Sequence, residues 1–132
     1  MPSNDVLKKL RVPVNHNLLI INAPDSFSVI MNHLAYDTNP QPEKTGCYDF
    51  VAVFGANQAE LRQKLSEVKT AGKYDCLFWA CYPKGTGQIK SDLKREIVWD
   101  AVQTIHMQCV TQITIDDTWS ALRARPHAAV GT

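Results

Sequence analysis

Cys109-Val110-Thr111-Gln112-Ile113-Thr114-Ile115-Asp116-Asp117-Thr118-Trp119-Ser120-Ala121-Leu122-Arg123-Ala124-Arg125 is the stretch on which the fold turns. Cys109 to Ile115 reads as one strand and Ser120 to Arg125 as another, with a tight turn between them. A parallel crossover needs a dozen or more residues, so the last strand must run antiparallel to the one before it.

Working upstream, the pattern changes from hairpin to crossover. Leu18-Leu19-Ile20-Ile21 is a continuous apolar run, as expected of a strand buried on both faces of a parallel sheet. Tyr48 to Phe54, closed by Gly55, and Tyr74 to Tyr82, closed by Pro83-Lys84-Gly85-Thr86-Gly87, repeat that character. Helices are predicted between the strands. Phe27, Ile30, Met31 and Leu34 form one stripe, with Asp25 or Ser26 as cap. Leu61, Leu65 and Val68 form a second, opened by Asn57 and Glu60 as a capping box and stopped by Gly72. Leu93, Ile97, Val98, Ala101, Val102 and Ile105 form a third, with Ser91 or Asp92 as cap. The proline-containing stretch Tyr36 to Lys44 is a loop, with a vestigial edge strand around Ala35 to Asp37. The expected fold is therefore α/β, a three-layer Rossmann-like sandwich whose mainly parallel sheet ends in an antiparallel hairpin. Residues 16–126 form one such domain, after an extension over 1–15 and before a tail over 127–132.

Bulk properties narrow the function classes. Hydrophobic residues at 45% and charged residues at 20% describe a globular chain rather than a disordered or membrane one. Fourteen Lys and Arg against thirteen Asp and Glu leave a net charge of +1, which gives no electrostatic reason to expect nucleic acid or an anionic membrane as partner. The apolar runs are far shorter than the roughly 20 residues of a membrane span, and the N-terminus carries no export pattern, so a cytoplasmic location is expected. Cys47, Cys76, Cys81 and Cys109 contain no Cys-x-x-Cys pair. They read as free thiols, with Cys76 and Cys81 on opposite faces of their strand, and no metal site is expected.

Ligands of open parallel sheets bind where the strand-ending loops gather. Those loops hold Asn22 to Ser26, Gly55 to Asn57, Pro83 to Lys90 and Asp116 to Trp119. An adenosyl or dinucleotide cofactor needs glycines after the first strand so that it can lie against the backbone. Here that loop is Asn22-Ala23-Pro24-Asp25-Ser26, the earliest glycine of the chain is Gly46, and Pro24 removes one N–H. No cofactor is expected. Lys84, Gly85, Thr86, Gly87 and Lys90 stand before a helix and suit a small anion, the plain alternative being a solvated connector. Asn22, Asp25 and Trp119 complete the candidate ligand set. Asp116 and Asp117 invite an acid/base reading with Lys84, against the alternative that one of them caps its own turn. His16, His33, His106 and His127 have no nucleophile at a recognisable spacing, and Trp79 and Trp99 read as core.

Leu19-Ile20-Ile21-Asn22-Ala23-Pro24, Tyr48-Asp49-Phe50, Tyr82-Pro83-Lys84-Gly85 and the string Ile115 to Pro126 resemble a bacterial domain-of-unknown-function family across most of residues 16–126. That family is similar to shortened, Rossmann-like S-adenosylmethionine-dependent methyltransferases. The resemblance implies their strand order, with the last strand inserted between its two predecessors, while the glycine loop of those enzymes is missing here. The leading expectation is a non-methyltransferase binding domain, leaning away from an enzyme, for a small anionic ligand or a protein partner, a second copy of the chain included. The alternative is an enzyme, either a divergent methyltransferase or a hydrolase or lyase using Asp116, Asp117 and Lys84.

Overall fold

The computed structural model describes residues 8–12, 17–31, 34–84, 93–116 and 118–126. Strand β1 (Leu18–Ile21) leads into helix α1 (Asp25–Ile30), and β2 (Tyr48–Phe54) into α2 (Gln58–Val68). The chain continues through β3 (Gly72–Pro83), α3 (Arg95–Gln103), β4 (Met107–Thr114) and β5 (Trp119–Pro126). The five strands lie in the order β1-β2-β3-β5-β4. β1, β2 and β3 are parallel, whereas β5 runs antiparallel to both β3 and β4. The last strand thus enters between its two predecessors, as the hairpin and the family likeness together required.

Alternation along β1 explains the layers. Leu19 and Ile21 pack into a cluster with Leu61, Leu65, Val98 and Val102 of α2 and α3. Leu18 and Ile20 join Phe27 and Met31 in and after α1, with Leu10 from the N-terminal segment, on the opposite face. All four β1 residues are buried. Each fully buried Leu or Ile contributes about 1.5–3 kcal/mol, so the strand is held only if helices cover both faces. Trp79 lies in the second cluster and its indole N–H donates to the Leu10 carbonyl at 3.1 Å, tying the N-terminal segment to that face. Cys76 and Cys81 face opposite clusters, as alternation demands.

Several details differ from the sequence reading. Neither Asp25 nor Ser26 caps α1: Pro24 is the N-cap residue, no side-chain bond is made there, and its carbonyl receives the N–H groups of Phe27 and Ser28. Proline's fixed φ sets the entry angle in place of a capping side chain. Asn57 does cap α2 through the Glu60 N–H at 2.9 Å, but the Glu60 carboxylate returns to the Ala56 N–H rather than to that of Asn57. α2 ends at Val68, and Gly72 begins β3 instead of terminating the helix. Lys94 is the N-cap residue of α3, with no side-chain bond there, while Ser91 and Asp92 lie outside the described residues. Trp119 belongs to β5 rather than to the turn. Trp99 is 42% exposed and not core, because it flanks the stripe of α3 that Val98, Ala101 and Val102 bury. The vestigial edge strand is a single parallel bridge from Asp37 to Leu19.

Candidate anion-binding site

At the carboxyl ends of β1 and β2 the polar groups bind one another. Asn22 sits in the left-handed region, at φ 61°, which asparagine tolerates better than most residues. From there its amide donates to the Phe54 carbonyl at 2.9 Å and to Glu60 Oε1 at 2.6 Å. The same Glu60 oxygen accepts the Ala56 N–H at 3.1 Å. The bend after β1 is therefore stitched to the end of β2 and the start of α2. Gly55 brings no ligand room: a Cβ built there would lie 2.6 Å from Leu61 Cβ and 2.7 Å from Leu61 Cα, so its missing side chain serves helix packing. Beneath this corner Phe54 packs on Phe27 at 4.9 Å and on Trp119 at 5.3 Å between ring centroids, one tilted and one edge-on.

A different place on the same edge is open. Between the end of β3, the start of α3 and the β4-β5 hairpin lies a cavity of about 440 Å³. Tyr82, Ser120 and Thr114 line it from one register row across β3, β5 and β4. Strand alternation puts them on the α2-α3 side, because Leu122 and Ala124 of β5 face that cluster and Ala121 faces the other. Lys84 closes one side, its N–H held by the Thr118 carbonyl at 2.8 Å, and Lys94 and Arg95 enter from the start of α3.

Three cations thus converge with the positive end of a nine-residue helix. Among the described residues none of the three is in an ion pair. Among the described residues Glu96 acts electrostatically on Tyr82, as Arg95 does with the opposite sign. Burial raises the Tyr82 phenol above its ordinary pKa, Arg95 partly opposing this, so the ring carries its proton at neutral pH. Its oxygen receives the Gln112 side-chain amide at 3.1 Å. Ser120 is 4% exposed and lines the cavity. Its hydroxyl can donate to an acceptor bound there.

The structure distributes the sequence candidates over separate places. Asn22 and exposed Asp25 stand at the β1-β2 corner, and Lys84 lines the cavity. Trp119 is buried against Phe54. Asp116 Oδ1 accepts the N–H groups of Thr118 and Trp119, both at 2.8 Å, which is the turn-capping alternative. Gly85, Thr86, Gly87, Lys90 and Asp117 lie outside the described residues. Sequence reasoning missed Tyr82, Lys94, Arg95 and Ser120. The adjacent Lys94-Arg95 pair, directly after Leu93 at the head of the α3 stripe, was the available signal; the Tyr82-Ser120 register was not legible.

Solved structures similar to this chain are methyltransferases, and their likeness shows the fold. A SAM-dependent methyltransferase from Aquifex aeolicus aligns over 92% of this chain and 88% of its own, at 11% identity and TM-score 0.57. The antibiotic-resistance methyltransferase Kmr aligns over 94% and 93%, at 9% identity and TM-score 0.51. The N,N-8-amino-8-demethyl-D-riboflavin dimethyltransferase RosA from Streptomyces davawensis aligns over 91% of this chain but 44% of its own, at 16% identity and TM-score 0.52. No protein-family model and no curated protein sequence matches the chain. The chain has the Rossmann-like fold of SAM-dependent methyltransferases, and no described helix is long and apolar enough to cross a membrane.

Proposed function

We propose that this chain is a ligand-binding domain on a methyltransferase-like fold, taking a small phosphorylated or carboxylated anion in the cavity of Lys84, Lys94 and Arg95. The observation that carries the reading is the set of three cations, Lys84, Lys94 and Arg95, that line one cavity at the start of α3 beside Ser120 and form no ion pair with any described residue. Charge-assisted bonds from lysine and arginine to an anion are about twice as strong as neutral ones, and a helix N-terminus adds to them. Opposing a cofactor at the usual corner, Asn22, Glu60 and the Phe54 carbonyl bind one another. The Asp116 carboxylate bonds the backbone of its own turn, which weakens a hydrolytic role with Lys84.

A second reading, a divergent SAM-dependent methyltransferase, draws on the structural neighbours. Calorimetric titration separates the two. Pyrophosphate is expected to bind the native chain, and K84A/R95A to weaken it at least about tenfold, equal to about 1.4 kcal/mol. S-adenosylhomocysteine is expected to give no heat. Saturable S-adenosylhomocysteine binding that K84A/R95A leaves unchanged, with pyrophosphate inert, would replace this proposal by the methyltransferase reading.

A further inference from the structure

Beside the basic cavity runs a second, smaller recess of about 120 Å³, bounded by Trp99, Val110, Cys109 and Leu122. Arg95 and Gln112 line both hollows, so the two adjoin. Their chemistry differs sharply. The larger holds the cations and the Ser120 hydroxyl, whereas the smaller is walled mainly by apolar side chains and an indole.

Trp99 is the odd member of the three tryptophans. Trp79 and Trp119 are 1% and 6% exposed, while Trp99 leaves 42% of its surface open beside Val110, itself 40% exposed. Arg95 and Trp99 are four residues apart on α3, hence neighbours on one helix face and about 6 Å apart along the axis. Val110 is the extra residue of a β-bulge in β4, between Cys109 and Thr111 in the pairing with β5. A bulge of this kind re-aims a side chain and blunts an edge strand against pairing with another chain. A second copy adding a strand to β4 is therefore not the natural occupant of this surface.

An anion pocket flanked by a free indole and an arginine suits a ligand with two ends, one carrying negative charge and one presenting a flat ring. We infer that the ligand is a nucleoside monophosphate, its phosphate held by Lys84, Lys94, Arg95 and Ser120 and its base stacked on Trp99 over the Val110 recess. The inference rests on the anion-site reading and extends it to a ligand class. The phosphate end supplies what the three cations and the helix N-terminus attract. The base end covers the exposed indole, an interaction open to any base because every base has a flat face. Phosphate held by so few groups, in a chain of net charge +1, favours a free nucleotide over a long nucleic acid.

The test uses the full chain and three probes: adenosine 5′-monophosphate, ribose 5-phosphate and adenosine, followed by calorimetry and by tryptophan fluorescence. The monophosphate is expected to bind about tenfold or more tightly than ribose 5-phosphate, and to quench emission from Trp99. W99A, a surface change whose fold is checked by circular dichroism, should remove that advantage and leave ribose 5-phosphate affinity as it was. W99F should retain most of the advantage. Equal affinity for the two phosphates, or an advantage surviving W99A, overturns the inference while the anion site stands. Adenosine binding as well as its monophosphate overturns the phosphate end. Failure of both phosphates to bind sinks the anion site itself. A 5′-phosphorylated oligonucleotide binding far more tightly than the mononucleotide would overturn the assignment to a free ligand.

Discussion

Replacing Gly55 by alanine is expected to cost about 2–3 kcal/mol of stability while leaving anion affinity unchanged. The added Cβ would fall 2.6 Å from Leu61 Cβ, 2.7 Å from Leu61 Cα and 2.9 Å from Leu61 N. Carbon atoms pack best at about 3.5–4.0 Å, so the deficit approaches 1 Å. Leu61 is wholly buried and two of the three clashing atoms are backbone, so no rotamer change relieves the overlap. Either α2 slides off the end of β2 or the strand end bends, which places the change at the upper end of overpacking costs. For a chain of this length each kcal/mol corresponds to roughly 3–5 °C, giving a fall in Tm of about 6–15 °C by circular dichroism. Gly46→Ala is the control. That residue is at φ 75° with nothing within 4 Å of a built Cβ, so backbone strain alone acts, at about 1–2 kcal/mol. A Gly55→Ala melt within about 2 °C of the native chain would refute the packing argument. So would lost anion affinity in a variant of unchanged Tm, which would make Gly55 a ligand residue.

Four further outcomes are expected. Ellman's reagent should titrate one thiol, exposed Cys47, in the native chain and four in denaturant, because Cys76, Cys81 and Cys109 are buried and burial pushes Cys109 up to about 12 and Cys81 still higher; two or more fast thiols would contradict this. The Tyr48 phenol is pushed up to about 12 by burial and then by its hydrogen bond to Asp37. Its contribution is complete below the ordinary tyrosine pKa of about 10 and is lost as pH rises toward 12, so denaturant midpoints should fall over that window and Y48F should flatten the fall. The Tyr48 hydroxyl, followed by Lys44, holds Asp37 below the ordinary aspartate pKa; its contribution is present above about pH 4 and lost as pH drops through the lowered value, a loss that D37N should remove from the acid limb. Asp116→Ala, which strips two bonds from the β4-β5 turn, should cost about 1–3 kcal/mol in urea melts and leave pyrophosphate affinity within about twofold; a large affinity loss at unchanged stability would restore a ligand role to Asp116.

The architecture was legible because its determinants are local in sequence. Unbroken apolar runs at Leu18 to Ile21 and Phe50 to Phe54 can be buried only in a sheet covered on both faces, and the short Asp116 to Trp119 turn fixes the direction of β5. Helix ends were less legible. Pro24 and Lys94 head α1 and α3 without side-chain caps, and a cap that is only backbone leaves no sequence mark. Trp99 was misplaced because a nine-residue helix can bury just one stripe, which Val98, Ala101 and Val102 already fill. The cavity was hidden for another reason. Tyr82 and Ser120 are 38 positions apart in sequence and meet only through antiparallel register, and periodicity does not specify which strand lies beside which. Asn22 was legible as a residue that denies a cofactor its glycine; its bonds to Phe54 and Glu60, which close the corner, depend on strand neighbours.

The central claim is that this methyltransferase-like fold keeps its ligand beside α3 rather than over β1, and an amide-resolved NMR titration reads it directly. Adding pyrophosphate is expected to shift the N–H signals of Lys84, Lys94, Arg95 and Ser120 and leave those of Asn22, Ala23 and Asp25 in place, with S-adenosylmethionine shifting neither group. Saturable shifts at Asn22, Ala23 and Asp25 on adding S-adenosylmethionine, with Arg95 and Ser120 silent toward pyrophosphate, would contradict the account.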